Sequence, residues 1–454
     1  MTTTNQIFGH FLTSFGYTPN PGQESALKSL GGFVSPDNQS TCFILTGPAG
    51  SGKTSLLLSL ISWFNKQEID FYLAAPTGRA AQIAGKKTQT YANTLHSLLF
   101  KVHVQEEPLQ ISFIPRINEK HDDIRFFLVD EASMISDDTS HTGMYVQDKS
   151  MLGQIFRYAR QGNVGNKIIF IGDQYQLPPV NASISPALSS GYLSEKYKVS
   201  PASYSLETVE RTTNNSYILG NAQIILSAIN SDTENGSLKY NHTGSFSGGI
   251  KQYLNDFSLD PFDQAVMIAL ANSQVNALNT WARNFRYNYK NKFVVMPEES
   301  MICNNNIEID DHILFKGNHF MVNKTWKPEE FAGLHFINAE IVFDNLYNER
   351  VSANTKIMIE SVTSKDGTLA FEQEKALIHE AYKRNKRFRD SKRPSDDAFV
   401  NAIRARYGYA LTCHKAQGGE WNHVYLHPGY RKEDKRWLYT AVTRAVSELY
   451  SWSA

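Results

Sequence analysis

The chain has 454 residues, more than one compact core holds at about 100–200 residues per domain. Hydrophobic residues make up 41% and charged residues 20%, an ordinary globular balance, and no apolar run reaches the ~18–20 residues of a membrane span. A formal net charge of zero argues against a coat-like nucleic-acid binder, which is basic throughout, but not against positive charge confined to a groove.

Met1 to Phe11 is polar and lacks a basic-then-apolar export pattern, so the expected location is cytoplasmic. Cys42, Cys303 and Cys413 are too widely spaced for a CxxC pair and read as reduced thiols, with neither disulfide nor zinc.

Short apolar runs at Cys42–Leu45, Phe71–Ala75, Phe126–Val129 and Ile168–Ile171 each precede a polar or Gly-rich turn. Buried parallel strands with crossover helices read this way. The first run leads into Gly47-Pro48-Ala49-Gly50-Ser51-Gly52-Lys53-Thr54, which fits GxxxxGK[ST]. Glycines let backbone N–H groups curl around phosphates; Gly47, Gly50, Ser51 and Gly52 form the cradle, Lys53 reaches the β- and γ-phosphates, and the Thr54 hydroxyl takes Mg²⁺. ATP and Mg²⁺ are the expected cofactors. The third run ends in Asp130-Glu131, where Asp130 is expected to hold Mg²⁺ and Glu131 to polarise the attacking water. The fourth leads into Gly172-Asp173-Gln174-Tyr175-Gln176-Leu177-Pro178; Gln176 could report the γ-phosphate, or the segment is a plain turn.

Gly236 to Gly249 reads as a surface loop. A second set of apolar runs, Ala265–Leu270 and His423–Leu426, indicates a second α/β domain, interrupted by an insertion from Lys290 to Tyr407. Inside the insertion, Ile313–Phe315, Leu334–Ile337, Ile341–Phe343 and Lys356–Glu360 read as short antiparallel strands. A basic helical stretch follows from Phe371 to Arg406. Its run Lys383–Arg393 either tracks a nucleic-acid backbone or forms a solvated helix face, the commoner fate of a charge run.

Taken together, the three loops resemble those of superfamily 1 helicases, and further segments fall in the order that family requires. Asn20-Pro21-Gly22-Gln23 resembles the Q motif, which implies adenine reading by Gln23. Ala75-Pro76-Thr77-Gly78-Arg79 resembles motif Ia and Thr94-Leu95-His96-Ser97 motif Ib, which implies strand contacts by Pro76, Thr77 and His96. Val209-Glu210-Arg211 resembles motif IV, placing Arg211 on the γ-phosphate. Tyr409 to Trp421, YALTCHKAQGGEW, resembles motif V, which implies strand contacts by Thr412, His414 and Lys415. Tyr439 to Ala445, YTAVTRA, resembles motif VI, with Arg444 as arginine finger.

The form of motif V and the late insertion resemble the RecD-like and Dda-like group, superfamily 1B, whose members move 5′ to 3′. The implied fold is α/β: two RecA-like P-loop motor domains, 1–186 and 187–289 with 408–454, and an SH3-like accessory domain, 290–407. Lys101–Asp123 resembles the group's β-hairpin pin, with strands at Val102–Gln105 and Gln110–Pro115. Phe113 is then either a wedge at the fork or a packing residue beneath the hairpin, and Trp421, Tyr175 and His96 either stack bases or pack. The implied activity is ATP-dependent 5′–3′ unwinding by a monomer acting on single-stranded and forked DNA, alongside single-stranded DNA-binding proteins. A translocase that strips bound proteins with little unwinding, or an RNA-acting helicase, is the alternative.

Overall fold

The computed structural model describes residues 4–106, 109–142, 145–209, 216–234, 236–290, 293–347, 349–364, 367 and 369–453. The buried apolar runs of the first half form one parallel sheet of six strands. In order these are Ala202–Ser205, Cys42–Thr46, Lys167–Gly172, Phe126–Val129, Phe71–Ala75 and Ala92–Thr94. The helices Pro21–Val34, Lys53–Lys66 and Gly78–Thr88 pack on one face through Leu27, Leu57, Leu60 and Ala84, and Met151–Gly162 packs on the other through Leu152, Ile155 and Phe156.

One boundary differs from the sequence reading. Ala202–Ser205 was assigned beyond residue 186 to the second domain, yet it pairs in parallel with Cys42–Thr46 at the edge of the first sheet. Its sequence, Ala-Ser-Tyr-Ser, alternates on an exposed edge and so lacks the apolar run that marks its neighbours.

The second sheet is also parallel, in the order Asn241–His242, Ala445–Ser451, Trp421–Leu426, Ala265–Ala269 and Ala410–Thr412. The segment read as a loop from Gly236 to Gly249 supplies its edge strand and the start of the helix Phe246–Phe257. Between Ala265–Ala269 and Ala410–Thr412 the chain leaves to build a closed five-stranded barrel: Ser300–Cys303, His319–Phe331, Leu334–Asp344, Arg350–Met358 and Ile403–Tyr407. Two expected short strands are one continuous strand, Leu334–Asp344. The expected strand Lys356–Glu360 is the end of Arg350–Met358, and a short helix starts at Ile359. The stretch read as helical to Arg406 holds the helices Phe371–Arg384 and Lys386–Ser391 and then the strand Ile403–Tyr407, which closes the barrel.

The barrel is tied to its parent domain by a buried ion pair. Glu299 is fully enclosed; one carboxylate oxygen accepts from Arg283 Nε at 2.8 Å and the other from the Tyr409 hydroxyl at 2.9 Å. Arg283 also donates to the carbonyl of Val294, clamping the segment that leads into the barrel. Removing one partner of such a pair strands a charge without water. Glu299→Ala is therefore expected to cost about 3–5 kcal/mol of stability, read as a lowered urea midpoint.

The hairpin forms as Phe100–Glu106 and Leu109–Pro115 and is widened by a second, unforeseen pair, Ser140–Thr142 and Tyr145–Gln147. Val104 and Ile111 are buried with Phe331, Phe336, Leu377 and Phe388, so barrel and helical arm brace the hairpin from behind. The Val104 N–H donates to the Lys392 carbonyl at 3.2 Å, joining hairpin and arm through the backbone as well.

Candidate nucleotide site and strand groove

The loop from Gly47 to Thr54 joins a fully buried strand to the helix Lys53–Lys66. Gly50 and Gly52 take φ of 79° and 95°, the left-handed region glycine tolerates. A Cβ on Gly52 would lie 2.5 Å from Gln23 Nε2, so the loop needs glycine there for space as well. Lys53 Nζ donates to the carbonyls of Gly47 at 2.7 Å and Pro48 at 2.9 Å, and the buried Ser51 hydroxyl has no partner among the described residues.

Gln23 has a different geometry from the one its motif implies. Its Oε1 accepts the Asn20 N–H and its Nε2 donates to the Ser51 carbonyl at 3.1 Å. The first bond belongs to a capping box that starts the helix Pro21–Val34. The side chain thus braces the phosphate loop.

Asp130 and Glu131 end the strand Phe126–Val129. Glu131 holds φ of 50°, a strained value for a side-chain-bearing residue, of the kind that clusters at functional sites. Burial raises both carboxyls, Glu131 to about 7, opposed at Glu131 first by Arg444 and then by Lys53. Asp173, fully buried after the strand Lys167–Gly172, pushes Glu131 up as well. Three residues on, Gln176 is buried with its Oε1 unpartnered among the described residues.

Arg444 comes from the second domain, after the helix Lys435–Val442, and only 4% of it is exposed. Its guanidinium donates to Thr440 O at 3.0 Å, Gly419 O at 3.0 Å and Thr443 Oγ1 at 3.2 Å. All three acceptors are neutral, so these bonds aim the group without neutralising it. Its field reaches Glu131, as does that of Lys53, so the two cations from different domains act on one carboxyl. Arg211 lies outside the described residues.

The residues expected to contact the strand come from both domains. Thr77 caps the helix Gly78–Thr88, accepting the Ala80 N–H at 3.2 Å, and Pro76 precedes it. Across the interface Gly418 sits so close that a Cβ there would lie 2.7 Å from that of Ala80. Thr412 precedes the short helix Cys413–Ala416, in which His414 is half-buried and Lys415 exposed. His96 faces Gln147 at 3.1 Å, and burial lowers its pKa to about 4, keeping the ring neutral.

Three aromatic assignments resolve toward packing. Phe113 pairs with Val102 in the root half of the hairpin, its ring 5.6 Å from His96 and 6.3 Å from Phe100. The tip residues Glu107 and Pro108 lie outside the described residues. Trp421 is 1% exposed, and its face is covered by Arg79 at 5.0 Å. Tyr175 packs on the second domain's core and meets Tyr439 edge-on at 6.2 Å. The basic arm is largely engaged as well: Lys383 with Glu380, Arg387 with Asp396 and Arg393 with Glu308, while Arg384 covers Phe331. That fits the solvated-face reading.

Sequence reasoning missed the residues that bind the two domains together. Arg79 donates to Asp263 at 2.8 Å, Phe262 O at 3.1 Å and Glu420 O at 3.3 Å, linking motif Ia to motif V. Thr440 Oγ1 accepts the Leu177 N–H at 2.9 Å, and Gln417 Nε2 donates to the Leu177 carbonyl at 2.7 Å. Both lie inside quoted motifs; their partners are far off in sequence, and nothing local reveals the pairing.

A phosphate loop, a strand-end acid pair and a buried arginine from a second parallel sheet define a P-loop nucleoside triphosphatase with its site between two domains. A family model described as an AAA domain matches residues 18–218, and one described as a UvrD-like helicase C-terminal domain matches residues 407–450. The chain is 24% identical to the RecBCD enzyme subunit RecD of Buchnera aphidicola subsp. Schizaphis graminum, over 90% of this chain and 70% of that protein. It is 28% identical to the ATP-dependent RecD2 DNA helicase of Deinococcus radiodurans, over 31% of this chain and 16% of that one. The structure of the Pif1 helicase from Candida albicans shares the fold with a TM-score of 0.51 at 15% identity, covering 96% of this chain and 94% of that one. The chain thus resembles the RecD-like helicases over most of its length and shares its fold with Pif1. Among the described residues no helix is long and apolar enough to cross a membrane.

Proposed function

We propose that this chain is an ATP-driven motor that moves 5′ to 3′ along single-stranded DNA and opens duplex ahead of it. The observation that carries the reading is that Lys53 and Asp130 of the first domain and Arg444 of the second all act on the Glu131 carboxyl. The buried oxygens of Ser51 and Gln176, unpartnered among the described residues, and a loop whose Gly50 and Gly52 take left-handed backbone fit a nucleoside triphosphate with Mg²⁺. Thr54 and Asp130 would hold the ion, which neutralises phosphate charge when bound. Lys53 then steadies the β- and γ-phosphates, Glu131 orients water, Gln176 senses the γ-phosphate, and Arg444 and Arg211 counter the charge of the transition state.

The domain roles follow. The first motor domain extends through Ser205, the second holds the other parallel sheet, and the five-stranded barrel with its arm is the SH3-like accessory domain. The hairpin is the pin, and its buried anchors on the barrel suit a strut that must not fold back under load. The strand runs past Pro76, Thr77 and His96 on one domain and Thr412, His414 and Lys415 on the other. Closing and opening the shared site alternates the grip of the two halves and so ratchets the strand.

The test is unwinding of 5′-tailed against 3′-tailed DNA duplexes, with hydrolysis measured with and without single strands. Unwinding confined to 5′ tails and strand-stimulated hydrolysis are expected; equal activity on both tails removes the assigned polarity. Strand-stimulated hydrolysis with displacement of bound protein but no duplex opening would favour the stripping translocase, and RNA tails in place of DNA test the remaining variant.

A further inference from the structure

One cross-cleft contact has no part in the roles assigned above. Tyr439 lies on the helix Lys435–Val442, five residues before Arg444, and its side chain is fully buried. Its hydroxyl accepts the N–H of Ala49, in the phosphate loop, at 2.8 Å. The same hydroxyl donates to Asp173 Oδ2 at 2.7 Å. Asp173 Oδ1 accepts the Tyr175 N–H at 2.9 Å, which shapes the turn that carries Gln176. The neighbouring Thr440 takes the Leu177 N–H with its hydroxyl and the Arg444 guanidinium with its carbonyl. One phenol therefore joins the phosphate loop, the Gln176 turn and the Arg444 turn.

We propose that Tyr439 is a positioning residue for hydrolysis: its hydroxyl fixes the closed register in which Arg444 and Gln176 reach the phosphates together. A phenol suits the task because it donates and accepts at once. Both bonds are directional, and one goes to a carboxylate, the stronger kind in a site that excludes water. Neither bond survives separation of the domains, so the contact forms and breaks with each closing. Aligning a charged group at the reacting centre acts on turnover more than on substrate affinity. This inference rests on the motor reading.

The test is Tyr439→Phe in the full chain, which keeps the ring in its core and deletes only the oxygen. The maximal rate of strand-stimulated ATP hydrolysis should fall roughly 10–100-fold, the worth of a hydrogen bond to a charged group. KM for ATP and the affinity for single-stranded DNA should stay within about threefold of the parent, since the binding surfaces remain. Asp173→Asn leaves one acceptor where the phenol and the Tyr175 N–H need two, and should lower turnover as well. Turnover within about twofold of the parent would overturn the proposal. So would a loss of nucleotide affinity that accounts for the whole defect, because that is the mark of a damaged fold. A parent chain whose hydrolysis ignores single strands would instead remove the motor reading on which the proposal stands.

Discussion

Changing Arg444 to alanine is expected to lower strand-stimulated ATP hydrolysis by about 10³–10⁵-fold, the range an arginine finger supplies. The cause is electrostatic. The guanidinium is buried, its hydrogen bonds end on two carbonyls and a hydroxyl, and its field reaches the Glu131 carboxyl in the other domain. A charge held by neutral partners beside a phosphate loop is available to a transferring phosphoryl group, and in a site that excludes water it acts at high strength. Arg444→Lys should recover little of the loss. A lysine keeps the charge but not the planar fork that Thr440, Gly419 and Thr443 hold in place. Phosphate release under saturating ATP checks the rate, and fluorescent-nucleotide binding checks that the first domain's share of the site is intact. A loss smaller than about tenfold would leave Arg444 a structural tie between two motifs.

How far the sequence reveals this arrangement depends on how local each feature is. Phe71–Ala75 and Phe126–Val129 were legible to the residue because a strand buried on both faces must be apolar throughout. The phosphate loop and the acid pair were legible because each packs its chemistry into a few consecutive residues. The barrel was harder. Leu334–Asp344 alternates buried and half-exposed positions along its length, and the sequence signal broke it in two. Ile403–Tyr407 carries Arg404 and Arg406 and reads as part of a basic helix. Only the fold shows Arg404 buried against Glu374 at 2.8 Å, across 30 residues. The bridge through Tyr439 was illegible because Tyr439 and Asp173, though each sits in a quoted motif, are 266 residues apart and nothing local pairs them. The sequence leaves Phe113 between wedge and packing residue. Its motif drew attention to an aromatic residue, but its register, opposite Val102, sets it away from the turn, among His96 and Phe100.

Changing Lys53 to alanine is expected to reduce ATP hydrolysis by at least about 10²–10³-fold, the usual loss when one preorganised donor at a reacting centre is removed. Single-stranded DNA binding should persist. Lys53 is the first residue of its helix, and among the described residues its ammonium bonds to the carbonyls of Gly47 and Pro48, within its own loop. Neither bond holds the strand before the loop or the helix after it, which are packed by Phe43, Leu45, Leu57 and Leu60. The fold should therefore survive, and with it the groove at Thr77 and Thr412, which shares no side-chain hydrogen bond with Lys53. The two effects separate because ATP answers to the loop while the strand answers to the surface beside it. Hydrolysis measured alongside fluorescence anisotropy of a labelled oligonucleotide tests both at once. Normal turnover in the variant would mean that the phosphates are held elsewhere, and the grouping of Lys53 and Arg444 about Glu131 would lose its claim to be the motor's site.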